Sequence, residues 1–206
     1  MNNKFVENGK TMLKKSFSNF QEKLGEMLKP IPLHPNHITA LSVLFAGAGT
    51  YFAFGGNLLA IPMFAISFAL DAIDGAIARA KGLTSKFGAY MDGICDRLVE
   101  FLALLPLFLF AEFVFPALIT LFFGTCMTSF SKAYASHREI ADNKEAAQMK
   151  TIMPRAERVI AILIVLALFL YGEVMYAWYL LWAVAAVSVI SFIFLQFEAR
   201  RISKEK

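Results

Sequence analysis

Residues 71–96 read DAIDGAIARAKGLTSKFGAYMDGICD, and the stretch sets four aspartates in two pairs, Asp71/Asp74 and Asp92/Asp96. Both flanks are strongly apolar, while AKGLTSKF at 80–87 holds a Gly, a Ser, a Thr and two lysines and reads as a turn. If both flanks are helical, the i,i+3 and i,i+4 spacings put each pair on one helix face. Helices joined by so short a turn are antiparallel neighbours, so the two carboxylate pairs face each other near it. Four carboxylates converging in an apolar setting repel one another and lose hydration. One or two hard divalent cations with oxygen ligands, of the Mg²⁺ or Mn²⁺ type, resolve that conflict.

The rest of the composition says what surrounds this stretch. Of 206 residues 58% are hydrophobic, 21 are phenylalanine, and the mean hydropathy is +0.57. A water-soluble domain of this size has no interior large enough for so much apolar side chain, so the bilayer is the expected solvent. Cys95 and Cys126 both lie in apolar segments and read as small core residues, with no disulfide framework or thiolate metal site. No cleavable signal peptide is expected, because the first 30 residues never show an uninterrupted apolar core. No nucleic-acid partner is expected, since the net charge of +4 is modest and its distribution follows membrane topology.

Between residues 3 and 30, six lysines (Lys4, Lys10, Lys14, Lys15, Lys23, Lys29) alternate with Leu13, Phe17, Phe20, Leu24, Met27 and Leu28. The pattern is an amphipathic helix with a basic face, lying in the headgroup plane or packed on the cytoplasmic face of its own protein. Pro30, Pro32 and Pro35 end it. Residues 1–35 thus form an interfacial helix and turn, 36–199 a transmembrane catalytic domain, and 200–206 a tail. The domain offers six apolar spans, near 36–54, 57–79, 88–110, 113–136, 157–171 and 175–197. Lys and Arg gather at the N-terminal arm, the 80–87 turn, the 137–158 connection and the C-terminal end, whereas the connections near 55, 112 and 172 contain none. The expected fold is therefore an all-α membrane protein of six transmembrane helices, with both termini and the aspartate-rich turn in the cytoplasm.

Three uses of the four acids compete. As structural glue they would pair with Arg79 and Arg97, but two cations against four carboxylates leave negative charge over. An ion-coupled transporter would string its acids along a path through the midplane, and these sit near one membrane face. Metal-assisted phosphoryl chemistry fits better: metals bridge a pyrophosphate and stabilise the leaving phosphate while an alcohol attacks. Gly75 and Gly88 would let a nucleotide or helix backbone come close, and Arg79, Lys81 and Lys86 supply charge for phosphates.

The same residues carry a resemblance. Asp71, Asp74, Gly75, Ala78, Arg79, Gly88, Asp92 and Asp96 fill the signature D-x2-D-G-x2-A-R-x8-G-x3-D-x3-D of the CDP-alcohol phosphatidyltransferase family without departure. The resemblance implies transfer of a phosphatidyl-type group from a CDP-linked lipid (CDP-diacylglycerol or CDP-archaeol) to a second alcohol, with release of CMP. It implies two divalent ions, Mg²⁺ or Mn²⁺, held by Asp71, Asp74, Asp92 and Asp96, with Asp96 also the general base for the attacking hydroxyl. Gly75, Ala78, Arg79 and Gly88 would line the CDP-lipid pocket, with Ser85 near the diphosphate or cytidine. The family's Asn-x-x-Thr at the first span is matched by Asn36 and Thr39, which would close the nucleotide pocket; read locally, Asn36 is equally an N-cap. Members are commonly dimeric, so a homodimer is expected, and the charge asymmetry puts the protein in the cell membrane with its active site facing the cytoplasm.

The acceptor is read from the cytoplasmic ends of the last spans. Ser129 and Lys132 stand at i,i+3, Arg155 and Arg158 open the fifth span, and Arg200 and Arg201 follow the sixth. A phosphate on the acceptor needs several charge-assisted donors, and an amino alcohol does not. The Ser-x-x-Lys and Arg-x-x-Arg pattern resembles family members whose acceptor is an inositol phosphate, and gives Ser129, Lys132, Arg155 and Arg158 as acceptor-phosphate ligands. Glycerol phosphate, which also carries a phosphate, is the second expectation.

Overall fold

The computed structural model describes Met27 and residues 35–205, so the interfacial helix expected over residues 3–30 lies outside the described residues apart from Met27. Among the described residues the fold is all helical, with no β-strand. In order it comprises α1 (Pro35–Phe54), α2 (Ala60–Ala80), α3 (Lys86–Leu104), a 3₁₀ turn (Leu105–Leu109), α4 (Ala111–Ile119), a π-helical segment (Thr120–Met127), α5 (Thr128–His137), α6 (Asn143–Gln148), α7 (Arg155–Leu170) and α8 (Val174–Glu205). From Ala111 to His137 the chain runs as one rod of 27 residues.

Each expected span has its helix. Pro35–Phe54, Ala60–Ala80, Ala111–His137 and Val174–Lys204 are long and apolar enough to cross a membrane. Large apolar side chains on them are exposed, among them Leu44, Phe115, Phe122, Tyr179 and Phe197, as lipid-facing residues are. The protein is a multi-pass membrane protein. The remaining two helices fall short for different reasons. Helix α3 carries Lys86, Asp92, Asp96, Arg97 and Glu100 among its 19 residues. Helix α7 has 16 residues, a rise of about 24 Å against a hydrocarbon core of about 30 Å.

The element ends depart from expectation where side chains intervene. Pro106, without an N–H, converts the end of the third span to a 3₁₀ turn. The 137–158 connection is not simply a polar loop: Asp142 caps α6 by accepting from the Lys144 and Glu145 N–H groups (both 2.7 Å), while the Asp142 N–H donates back to Glu145. Ala146 and Met149 then pack with Ala135, Ala141 and Leu195, and Ala199 and Ile202 lie against this cluster. With that packing in place α8 continues to Glu205. An Arg201–Glu198 pair at 2.9 Å reinforces the same helix.

The chain divides into two compact units. One holds residues 35–45 and Ile66–Asp96, and the other Ala46–Ala65 and residues 97–205. In the first, α1 and α2 meet through small polar residues: Ser67 Oγ donates to the Ser42 carbonyl at 2.7 Å, and both side chains are fully buried. Such contacts let helix backbones approach where lipid offers no hydrophobic drive for association. The second unit has an apolar interior of Leu104, Leu107, Phe113, Ile162, Val165, Leu181 and Leu195. Phe169 packs edge-on to Phe110 and Phe113, with ring centroids 4.8 and 5.4 Å apart.

Candidate functional site

The first unit is shaped by the turn between α2 and α3. Helix α2 ends in a Schellman motif: the Gly82 N–H donates to the Arg79 carbonyl (3.2 Å) and the Leu83 N–H to that of Ala78 (2.9 Å). Gly82 takes φ +65°, the left-handed conformation that motif needs and glycine allows. Three residues later Ser85 caps α3, its Oγ accepting from the Gly88 N–H at 2.9 Å. Both helix ends are thus closed within a few residues, and the two acidic faces are held together.

A cavity of about 190 Å³ opens at this turn. Asn36, Thr39, Gly75, Ala78, Arg79, Ser85 and Gly88, the seven residues expected at the CDP pocket, all line it. Asp74 and Asp92 line it too, as do Pro35, Leu83, Thr84 and Ala89, which sequence reading did not single out. Gly88 closes the wall tightly: a Cβ there would lie 3.0 Å from Ser85 Oγ and 3.6 Å from Asn36 Oδ1, so the Ser85 side chain would have to shift to admit one. Ser85 therefore does two things, capping α3 and forming wall.

The aspartates separate into three and one. Asp71, Asp92 and Asp96 each offer a carboxylate oxygen, and these oxygens lie within 4.8 Å of one another. Asp96 is buried, and Asp71 and Asp92 are partly so. Three hard oxygen donors at such separations suit a divalent cation, whose charge removes the mutual repulsion of the carboxylates. Asp74, also buried, accepts a hydrogen bond of 2.5 Å from Thr39 Oγ1. That bond ties the fourth aspartate to α1, a partner for Thr39 that sequence spacing did not indicate.

The residues expected to hold the acceptor lie in the second unit and are engaged with protein groups. Ser129 Oγ accepts from Arg97 Nε (3.2 Å) and Nη2, and donates to the Thr125 carbonyl (2.8 Å). Lys132 Nζ donates to the Ala147 carbonyl at 3.2 Å. Arg158 forms a forked pair with Glu100, Nε to Oε2 at 2.8 Å and Nη2 to Oε1 at 3.1 Å. Arg155 Nε reaches Oε1 of the same carboxylate at 3.2 Å. Glu100 is 1% exposed and was missed in the sequence reading. The signal was present: a fifth acid, one helical turn beyond Asp96, inside an apolar span.

The family model described as CDP-alcohol phosphatidyltransferase matches residues 32–190. An archaetidylinositol phosphate synthase of Pyrococcus horikoshii is 33% identical over 181 residues, which span 87% of this chain and 90% of that protein. Among solved structures, the phosphatidylinositol phosphate synthase of Mycobacterium tuberculosis with CDP-DAG bound superposes with a TM-score of 0.66 at 24% identity, covering 88% of this chain and 94% of that one. The same enzyme in complex with manganese and citrate gives a TM-score of 0.71 at 24% identity, covering 87% and 88%. At that identity the structural likeness speaks for the fold, and the family rests on the sequence matches. The chain is an enzyme of the CDP-alcohol phosphatidyltransferase family.

Proposed function

We propose that the protein transfers a phosphatidyl-type group from CDP-diacylglycerol or CDP-archaeol to a hydroxyl of an inositol phosphate, releasing CMP in phospholipid synthesis. The observation that carries this reading is the convergence on one turn of the Asp71/Asp92/Asp96 cluster and a cavity lined by all seven residues expected at the CDP pocket. The names of relatives favour an inositol phosphate: the Pyrococcus horikoshii protein is an archaetidylinositol phosphate synthase. Manganese and CDP-DAG occur in structures of the Mycobacterium tuberculosis enzyme of the same fold.

In this reading Asp71, Asp74, Asp92 and Asp96 hold two divalent ions, Mg²⁺ or Mn²⁺, which when bound neutralise the diphosphate and the departing CMP. Asn36, Thr39, Gly75, Ala78, Arg79, Ser85 and Gly88 bind the CDP moiety. Asp96 takes the proton of the attacking hydroxyl as the acceptor oxygen bonds to the lipid-side phosphorus and the bond to CMP breaks. Ser129, Lys132, Arg155 and Arg158 hold the acceptor's phosphate. Arg155 is the best suited of these, because its side chain is 30% exposed while that of Arg158 is 5%. The same cations would serve glycerol phosphate, which is the second reading.

The deciding experiment gives purified protein CDP-lipid, Mg²⁺ or Mn²⁺ and a panel of acceptors, and reads CMP release. Inositol phosphate is expected to be turned over well and free inositol poorly. Arg155→Gln should raise the KM for inositol phosphate about 10- to 150-fold, the loss of one charge-assisted contact, with little change in the KM for CDP-lipid. Preference for glycerol phosphate, or equal use of inositol and its phosphate, would overturn the acceptor while leaving the family.

The proposal extends to topology: six spans over 36–199, with both termini and the 80–87 turn cytoplasmic in the cell membrane, and a homodimeric assembly. Gly56 and Gly172 have positive φ, so cysteine labels belong at exposed positions close by, Leu58 and Glu173. Those two should react from outside the cell, and cysteines at Thr84 and Lys144 only from inside. All four positions are exposed. Equal accessibility at 58 and 84 would make the span count wrong.

A further inference from the structure

We infer that Glu100 is the positioning residue for the acceptor's phosphate, holding the Arg155 guanidinium in place through a buried carboxylate shared with Arg158. The inference rests on the reading of Arg155 as a phosphate ligand given above. Both oxygens of Glu100 are used. Oε2 accepts from Arg158 Nε at 2.8 Å and Thr125 Oγ1 at 2.6 Å, and Oε1 accepts from Arg158 Nη2 at 3.1 Å and Arg155 Nε at 3.2 Å.

The two arginines stand differently to this carboxylate. Arg158 is buried and bound along a fork, so the Glu100–Arg158 pair is a rigid base. Arg155 is anchored through Nε, and because the guanidinium is rigid and planar that bond limits where its two Nη groups can point. Two guanidiniums on one carboxylate leave a net charge of +1, which an anionic group can take up. Remove the Glu100 charge and two like charges share the site with nothing between them.

Two further features are shaped around this pair. Thr125 lies in the π-helical segment Thr120–Met127, a backbone irregularity of the kind that gathers at functional sites. Its neighbour Gly124 has no side chain, and a Cβ there would come within 3.0 Å of Arg158 Cδ and 2.7 Å of Ser188 Oγ. Packing alone does not call for any of this. A buried ion pair adds little stability over apolar residues of the same volume, so a carboxylate kept among apolar helices has another use.

The test compares full-length wild type with Glu100→Gln, measuring KM for inositol phosphate, KM for CDP-lipid, and kcat. The acceptor KM should rise about 10-fold, with kcat and the CDP-lipid KM within about twofold of wild type. An unchanged acceptor KM, or both KM values rising together, would overturn the inference. Should the unbalanced arginines prevent folding, Glu100→Asp keeps the charge and leaves Arg158 in place while drawing the carboxylate back by one methylene from Arg155 Nε. The same rise in acceptor KM is expected, and a wild-type value would refute the positioning role. Arg155→Gln separates the two levels. If it does not alter the acceptor KM, the acceptor reading itself fails; if it does and neither Glu100 variant does, only the role of Glu100 fails. Combined with Arg155→Gln, Glu100→Gln should add little, because both act on one contact.

Discussion

Asp92→Asn and Asp71→Asn are each expected to lose CMP release by about 10³-fold or more, the several kcal/mol that a correctly held divalent ion supplies. Both carboxylates belong to the group whose oxygens lie within 4.8 Å. The amide keeps the shape and one oxygen of the side chain but removes the charge that a hard cation requires. Binding can be read apart from turnover by titrating Mn²⁺ into wild type and variants and following the ion's magnetic resonance signal. Wild type should take up Mn²⁺, and the variants should bind it far more weakly while keeping their helical circular dichroism. Near-normal turnover in either variant at ordinary Mg²⁺ would end the two-ion reading. Asp74→Asn belongs to the same series, and there the Thr39 contact supplies a second handle. Thr39→Val removes the donor to Oδ2 without touching a charge, and should be the milder change.

Asp96→Asn should reduce kcat by about 10²- to 10⁴-fold, the usual contribution of a positioned general base. CDP-lipid binding in the presence of Mn²⁺ should stay close to wild type, because the cavity at the turn is lined by other residues. Asp96 is the most buried of the three clustered aspartates and sits on α3, one turn beyond Asp92. Kinetics at saturating CDP-lipid with rising Mn²⁺ distinguish its two roles. If raising Mn²⁺ restored full turnover, Asp96 would be a ligand only and the base assignment would fall.

The candidate nucleotide and metal site was legible in sequence because its geometry is almost wholly local. Spacings of three and four along α2 and α3, and a turn of eight residues, already decide that Asp71, Asp92 and Asp96 share a face near the bend. The lining of the cavity was legible for the same reason, with Thr39 and Asn36 as the long-range additions. The acceptor side was legible only as a set of charges. Lys132, Arg155 and Arg158 were visible, yet nothing in their spacing shows that Arg158 is buried against Glu100, 58 residues away, or that Arg97 donates to Ser129.

By itself, then, the sequence determined an all-helical membrane protein, the aspartate-rich turn and the family, since hydropathy, i,i+3 and i,i+4 spacing and turn residues are properties of a few neighbouring positions. Only the tertiary structure decided which cations have internal partners, where α6 seats on α8, and that the rod from Ala111 to His137 turns π-helical beside Arg158. These depend on which residues distant in the chain come within 3–4 Å. A buried charge finds its partner through space, and the order of residues records only that each half of the pair exists.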